Sequence, residues 1–223
     1  MNVSIVIPIY NPNKSLLKKV IESLRNQKFS HKKEIILIEK GWGLAKSLNY
    51  GIKKSKYKVI VTLHQDCIPS SINWLSTLVK PLKDDAFVAS VSDVIDVESK
   101  KLYTPFLDEK GCAYKKNALK NVNYFSEDIF LNSGEDMDMY LKLKKIGKIA
   151  YPHTSVEHYH PGYLSAKGYK RLQNANTWGC LFRVYGFHLP GWWKGLIKAN
   201  ALNWGYCYWF WRGFFKKKQD FKR

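Results

Sequence analysis

The feature that most constrains the fold is an alternation of apolar runs and amphipathic stretches in the first part of the chain. Apolar runs with the length of a buried strand occur at Val3 to Ile7, Glu34 to Ile38, Lys58 to Leu63 and Phe87 to Val91. Apolar residues at helical spacing fill the intervals at about Lys14 to Asn26, Leu44 to Ile52 and Trp74 to Lys80. Strands that alternate with helices in this way predict a mainly parallel sheet with helices on both faces.

The pattern after Val91 is less regular. We expect short strands at Asp93 to Val97 and Ile149 to Tyr151, around a helix that begins near Glu135 and ends at Gly147. A chain of 223 residues can form one large domain with an appendage. We therefore expect an α/β domain over residues 1–186 and a separate tail over residues 187–223.

The predicted tail is rich in aromatic and basic residues. Its aromatic residues include Trp192, Trp193, Trp204, Tyr206, Tyr208, Trp209, Phe210, Trp211, Phe214 and Phe215, and the run Lys216 to Lys218 follows them. Aromatic rings beside basic residues are typical of the headgroup region of a bilayer, so we predict peripheral membrane association through residues 187–223. The alternative is an aromatic helix that packs on the domain.

Neither a membrane-spanning helix nor a secretion signal is predicted. No apolar stretch reaches the roughly 18 residues that a transmembrane helix needs, and the first apolar run stops at Pro8. The cysteines are scattered without a CxxC pair, at Cys67, Cys112, Cys180 and Cys207. This spacing indicates neither a zinc site nor a disulfide framework and favours a reducing compartment. We expect a cytoplasmic protein on the cytoplasmic face of a membrane.

The chain is strongly basic. Its 37 Lys and Arg residues against 18 Asp and Glu residues give a formal net charge of +19. Such a charge favours phosphate-bearing partners, whether nucleic acid, anionic lipid or nucleotide. Charge alone does not choose among them.

Ligands of open parallel sheets bind beyond the carboxyl ends of the strands. Here those positions hold Tyr10 and Asn11, then Glu39, and then the run His64 to Asp66. Asp66 follows an apolar strand and could be one of the few protein oxygens that a divalent ion needs when a diphosphate supplies others. A single aspartate in this position is also a common turn former.

Two further patterns carry chemical groups. Ser133 and Asp136 have the spacing of a capping box at a helix start, and the adjacent carboxylates Glu135 and Asp136 could serve general-base catalysis or simply complement the helix dipole. His158 and His160 form a His-x-His pair, which is either a metal site or ordinary surface.

The order of these motifs resembles family 2 of the GT-A glycosyltransferases. The resemblance covers about residues 1–186. Its motifs are VSIVIPIYN at residues 3–11, GLAKSLNYGI at residues 43–52, the run at residues 63–69 in the place of the DxD motif, GCAYKKNAL at residues 111–119, GEDMD at residues 134–138, and His158.

This resemblance implies a GT-A fold, a nucleotide-diphosphate sugar donor, Mn²⁺ or Mg²⁺, and inversion at the anomeric carbon. Asp136 would be the catalytic base with Glu135 beside it, and Asp66 with His158 would hold the metal. The residues implied to bind the nucleotide sugar are Pro8, Tyr10, Asn11, Glu39, Lys46, Asn49, His64 and Gln65.

Two positions depart from the family pattern. His64 stands where the family has its first DxD aspartate, so metal binding would rely on Asp66 with His158 or His64. Glu39-Lys40-Gly41 replaces the acidic pair after the second strand, which leaves the nucleoside open.

Three functions follow from these patterns. The first is an inverting glycosyltransferase that acts on a lipid-linked, glycan or otherwise membrane-proximal hydroxyl acceptor. The second is an inactive GT-A fold that binds a sugar or a lipid. The third is a nucleic-acid-binding module, which the acidic residues Asp66, Glu135 and Asp136 disfavour because a phosphate-binding groove should be basic.

Overall fold

The computed structural model describes residues 1–127, 134–159, 167–190, 193 and 204–215, with only the backbone at 167–173 and 204. These residues fall into two compact units, the first from residues 1–125 and 139–161 and the second from residues 126–138 and 162–223. The boundary expected at residue 186 stays a prediction. The second unit contains the described residues on both sides of that position.

The strands are β1 (Val3–Pro8), β2 (Lys33–Ile38), β3 (Val59–Thr62), β4 (Cys67–Pro69), β5 (Phe87–Val91), β6 (Asp93–Asp96), β7 (Lys101–Tyr103), β8 (Cys112–Lys115), β9 (Lys148–Ala150) and β10 (Ser155–His158). The α-helices are α1 (Lys14–Arg25), α2 (Leu44–Lys54), α3 (Trp74–Val79), α4 (Lys116–Asn121), α5 (Glu135–Leu143), α6 (Lys167–Tyr185) and α7 (Trp204–Phe214). Short 3₁₀ turns follow α3 at Lys80–Lys83 and α6 at Gly186–His188.

The main sheet has the strand order β2-β1-β3-β8-β5-β9. Strands β1, β2 and β3 pair in parallel, as do β5 and β9, whereas β8 is antiparallel to both of its neighbours. The predicted α/β class with a mainly parallel sheet is confirmed. The sequence did not predict β8, which lies between β3 and β5.

A second, smaller sheet has the order β4-β10-β6-β7. Strand β10 runs antiparallel to β4 and parallel to β6. The register places His158 opposite Cys67, and the backbone N–H of Tyr159 donates to the carbonyl of Asp66 over 2.9 Å. This sheet therefore brings residues that are far apart in sequence next to Asp66.

Local sequence explains how α1 and α2 pack on the main sheet. Asn13 caps α1, because its Oδ1 accepts from the backbone N–H of Leu16 over 3.1 Å, and Val20 and Leu24 are buried beneath the helix. Helix α2 approaches β1 so closely that a Cβ at Gly51 would lie 2.3 Å from Cγ1 of Val6. Glycine is therefore required at this helix-strand contact.

In the second unit, α7 packs against α6. The backbones nearly touch, since a Cβ at Gly179 would lie 1.9 Å from the carbonyl oxygen of Phe210. Phe210 is 1% exposed, and the Arg183 guanidinium donates to the carbonyl of Phe214 over 2.7 Å. Part of the aromatic segment thus forms a core with α6. Among the described residues, no helix is both long enough and apolar enough to cross a bilayer.

Candidate active site

The loops that follow β1 and β3 are joined at the carboxyl edge of the main sheet. The backbone N–H of Tyr10 donates to Oε1 of Gln65 over 2.8 Å, and Nε2 of Gln65 donates to the carbonyl of Tyr10 over 2.7 Å. The side chain of Tyr10 is left 67% exposed. Gln65 therefore positions the Tyr10 loop, and the Tyr10 ring is available to stack on a flat group.

Asp66 and His158 form a partly buried pair beside this edge. His158 Nε2 lies 3.7 Å from Asp66 Oδ2, and their side chains are 6% and 24% exposed. Burial raises the pKa of Asp66, but the adjacent imidazoles of His158 and His64 outweigh burial and lower the pKa overall. The carboxylate is therefore ionised at neutral pH.

These residues fit a divalent metal ion. One ligand atom each from Asp66, Cys67 and His158 lies within 4.8 Å of the other two. A carboxylate, an imidazole and a thiol are common ligands of divalent ions. Among the described residues, Asp66, Cys67 and His158 are the one group of three such side chains close enough to share an ion, and the group includes both predicted metal ligands.

His64 lies next to this cluster and is kept neutral. Burial, and after it the charge of Lys110, lower the pKa of His64 to about 4. Its Nε2 is buried and has no hydrogen-bond partner among the described residues, although the residue as a whole keeps some exposure. A neutral imidazole nitrogen can accept a hydrogen bond from a ligand.

The loop before β8 adds a cation to the same edge. Lys110 Nζ lies 2.6 Å from Asp108 Oδ2, and both side chains are largely buried. Burial would lower the pKa of Lys110, but the charge and hydrogen bond of Asp108, together with Tyr103, outweigh burial and raise the pKa overall. Lys110 therefore remains a cation close enough to His64 for its charge to act there. Sequence reasoning missed Lys110, because its position depends on the reversed strand β8.

The other residues expected to bind the nucleotide sugar occupy different environments. Pro8 ends β1 and is half-buried, and Asn11 has a φ of 41°, a left-handed conformation that asparagine tolerates. Glu39 is exposed after β2. Lys46 is exposed in the first turn of α2, with its Nζ 5.0 Å from the Trp42 ring centroid.

Asn49 is buried and bonded to the chain far along the sequence. Its Nδ2 donates to the carbonyl of Phe125 over 2.9 Å, and its Oδ1 accepts from the Phe125 N–H over 3.0 Å. These two hydrogen bonds join α2 to the segment that contains Phe125. They give Asn49 a positioning role, and its contact with a nucleotide sugar stays a prediction.

The predicted catalytic carboxylates lie at the start of α5, in the second unit. Gly134 has a φ of 125°, which favours glycine, and it places Glu135 and Asp136 in the first helical turn. Glu135 is buried, whereas Asp136 is half-buried, with its Oδ1 accepting from the Met137 N–H over 2.7 Å. Ser133 and His160 lie outside the described residues.

Asp138 holds this turn in place, which the sequence did not predict. Its carboxylate accepts from the Ser126 hydroxyl over 2.7 Å and from the Tyr185 hydroxyl over 2.5 Å. Burial, followed by the Asp138 charge and hydrogen bond, raises the pKa of Tyr185, so its hydroxyl stays a donor at neutral pH. The start of α5 is therefore anchored by buried hydrogen bonds next to the half-buried Asp136.

The fold matches those of solved glycosyltransferases. GalNAc-T7 with UDP, GalNAc and Mn²⁺ aligns with a TM-score of 0.66 and 16% identity over 91% of this chain and 52% of that one. The mannosyltransferase PcManGT of Pyrobaculum calidifontis, in complex with GDP-Man and Mn²⁺, aligns with a TM-score of 0.63 and 14% identity over 95% of this chain and 83% of that one. At these identities the likeness establishes the GT-A fold.

Part of the sequence also matches a known family. Residues 28–127 match the family described as glycosyl transferase family 2. Together with the fold, this match supports a family 2 GT-A glycosyltransferase. No curated protein matches it.

The matched segment contains Asp66, Cys67 and Lys110, the residues described at the carboxyl edge of the sheet. Staphylococcus aureus TarS (residues 1–349) has a similar fold, with a TM-score of 0.58 and 13% identity over 82% of this chain and 65% of that one. The chain covers about half the length of GalNAc-T7, at 52%.

Proposed function

We propose that this glycosyltransferase moves a sugar from a nucleotide-diphosphate sugar to an acceptor hydroxyl with inversion at the anomeric carbon. The proposal rests on the Asp66–His158 pair at the carboxyl edge of the sheet, where Nε2 of His158 lies 3.7 Å from Oδ2 of Asp66. Asp66 lies within the segment that matches glycosyl transferase family 2. A donor site at that edge agrees with where parallel sheets bind ligands. Tyr10, exposed in the adjoining loop, is suited to stack on the nucleobase.

Asp136 is proposed as the general base. In one displacement the acceptor oxygen forms a bond to the anomeric carbon, Asp136 takes the hydroxyl proton, and the bond to the diphosphate oxygen breaks with its electron pair on the diphosphate. Glu135 is proposed to orient the acceptor or Asp136. A single displacement requires no covalent nucleophile.

The diphosphate side needs positive charge. A divalent ion held by Asp66 and His158 supplies counter-charge to the diphosphate when it is bound. We add Lys110 as a second source of charge, because it is a largely buried cation near His64. Buried cations are effective at stabilising charge that develops on a leaving group. His64, as a neutral imidazole, is proposed to accept a hydrogen bond from the donor.

A thermal-shift screen of UDP-, GDP- and dTDP-sugars with Mn²⁺ tests the donor site. A ligand at 100 times its Kd adds about 2.7 kcal/mol of stability, which for a chain of this size is a rise of roughly 5–10 °C in Tm. We expect one nucleotide class to give this rise and EDTA to reduce it. The free sugars are the control. If no nucleotide sugar raises Tm or serves as donor in a transfer assay, the proposed function is wrong.

We further propose that the second unit brings the enzyme to a lipid-linked or membrane-proximal acceptor, on the cytoplasmic face of a membrane. Although Phe210 and Tyr206 are buried against α6, other rings of the aromatic segment face solvent. Phe187, Tyr208 and Phe215 are 74%, 62% and 69% exposed. Exposed aromatic rings provide membrane affinity that salt does not screen. The Lys216 to Lys218 run lies outside the described residues.

We expect the combined substitution of Phe187, Tyr208 and Phe215 by Ser to release the protein from phosphatidylglycerol liposomes in a sedimentation assay. Wild-type binding should weaken but persist at high salt, because only the contribution of basic residues is screened. The matched control replaces Ile72, Leu102 and Ile146, which are also exposed, by Ser. Equal release of both variants, or wild-type protein left in the supernatant, would contradict the proposed membrane contact.

Point substitutions are preferable to removal of residues 187–223. Removal would take α7 away and expose the face of α6 on which Phe210 and Tyr206 are buried. Loss of that core would destabilise the second unit, which also contains Asp136. A truncated chain would therefore lose activity for reasons unrelated to membranes.

A further inference from the structure

Cys67 is positioned by the same strand pairing that brings His158 to Asp66. Cys67 begins β4 and lies directly opposite His158 of β10 in an antiparallel pair. Directly opposed residues of such a pair point to the same face of the sheet and lie close together. The thiol and the imidazole therefore share one side of the small sheet.

The two oxygens of Asp66 face these two groups. Sγ of Cys67 lies 3.8 Å from Oδ1, and Nε2 of His158 lies 3.7 Å from Oδ2. Around a tetrahedral ion at zinc-ligand bond lengths, a nitrogen or sulfur ligand lies about 3.3 to 3.6 Å from an oxygen ligand. The two observed distances are slightly longer than this, so a small inward movement of the side chains would bring all three onto one ion.

The other buried thiols have a different setting. Sγ of Cys112 donates to the carbonyl of Asp108 over 2.9 Å, and Sγ of Cys180 donates to the carbonyl of Gly213 over 3.4 Å. Cys67 instead lies next to a carboxylate and an imidazole, and one ligand atom from each of the three residues is within 4.8 Å of the others. Cys67 is also fully buried in the hydrophobic core, so its thiol lies at the border between that core and the two polar groups.

We propose that Cys67 is a third protein ligand of the metal and that its thiolate makes the site prefer borderline ions, such as Zn²⁺ and Co²⁺, to Mg²⁺. The proposal rests on the metal site of the proposed function and adds to it the choice of ion. Mg²⁺ requires oxygen ligands in a nearly octahedral arrangement, whereas thiolate and imidazole favour later transition-metal ions. On binding, the metal–sulfur bond forms and the thiol proton is released to solvent.

One consequence concerns charge. Two anionic ligands, Asp66 and Cys67, balance the formal charge of a divalent ion. Less of its charge then acts on a bound diphosphate, which gives the buried cation Lys110 a larger share in neutralising the diphosphate. A sulfur ligand beside Asp66 thus fits with a buried lysine at the same edge.

Cobalt spectroscopy on the full, metal-free chain tests the proposal. Co²⁺ bound to a thiolate gives a sulfur-to-metal charge-transfer band in the near ultraviolet, which oxygen and nitrogen ligands do not give. We expect this band in the wild-type protein, its disappearance on addition of Zn²⁺, and its persistence in a large excess of Mg²⁺. Absence of the band in wild-type protein that binds Co²⁺ overturns the proposal without recourse to any variant.

The matched variants are Cys67→Ser and Cys207→Ser, the latter at a half-exposed cysteine of α7. We expect Cys67→Ser to lose the band and to lower the Zn²⁺ affinity at least roughly tenfold, while Cys207→Ser changes neither. A Cys67→Ser protein with the band intact and Zn²⁺ affinity within twofold of wild type contradicts the assignment. If Asp66→Ala weakens Co²⁺ binding while Cys67→Ser does not, the proposed metal site stands and the role of Cys67 is wrong.

Discussion

Replacement of Asp136 by Asn is expected to reduce kcat by roughly 10²–10⁴-fold while the affinity for the donor stays within about threefold of wild type. The amide keeps the size of the side chain but cannot take a proton from the acceptor. The loss corresponds to about 3–5 kcal/mol in activation free energy. Steady-state kinetics with the donor identified by thermal shift, together with donor binding by calorimetry, measure both quantities.

The control for this substitution is Asp85→Asn, which makes the same chemical change at a fully exposed aspartate that pairs with Lys115. We expect wild-type kinetics from it, because exposed ion pairs contribute little. Asp136→Asn is also expected to show a wild-type melting curve, because Asp138 anchors the start of α5 through hydrogen bonds from Ser126 and Tyr185. Turnover near the wild-type rate in a folded Asp136→Asn protein would remove Asp136 from the mechanism.

Replacement of Asp66 by Ala is expected to weaken donor binding at least tenfold, roughly 1.4 kcal/mol or more, with only partial recovery in excess Mn²⁺. The carboxylate is the anionic partner of His158, and its two oxygens face His158 and Cys67. Its removal takes away a metal ligand and leaves the nearly buried imidazole of His158 without this partner. Calorimetry with the identified donor, with and without EDTA, gives the measurement.

Asp85→Ala is the matched control and should bind the donor like the wild type. The comparison with EDTA separates two causes of weak binding. If EDTA has no effect on wild-type donor binding and Asp66→Ala binds equally well, the metal-dependent mechanism is wrong and lysines such as Lys110 become the main counter-charge for the diphosphate. If EDTA weakens wild-type binding but has no further effect on Asp66→Ala, Asp66 is the ligand.

Short, mostly apolar runs made the first three strands predictable from the sequence. Strands β1, β2 and β3 lie within one residue or so of the expected bounds, and the one polar residue inside the β1 run, Ser4, is small and bonded to Glu34. The segment of β8, in contrast, is four residues between a glycine and a pair of lysines, and its central place depends on pairing with strands from both sides. Helix α6 was not predicted either, because its apolar residues do not form a single stripe.

Only those residues of the candidate site that belong to a recognisable sequence motif could be predicted. Asp66 and His158 were expected from their resemblance to a family pattern, and the structure brings them together. Cys67 was noted only as a scattered cysteine, since its proximity to His158 arises from the register of β4 with β10. Lys110 could not be placed without knowledge that β8 runs against its neighbours. Residues whose neighbours are set by non-local strand pairing leave no local signal in one sequence.

Strand β8 runs against its neighbours, and this direction determines which loop beside the proposed donor site can change in length. In a parallel sheet, a loop at the carboxyl edge is the first half of a crossover, so a change in its length displaces the helix that follows. The loop from Thr104 to Gly111 reaches this edge from the opposite direction and leads straight into β8, whose two neighbours hold it in register. Leu107, Asp108 and Glu109 are buried, but Thr104 and Phe106 are exposed. Residues inserted near Thr104 would therefore change the surface beside the proposed donor site while the βαβ crossovers keep their lengths.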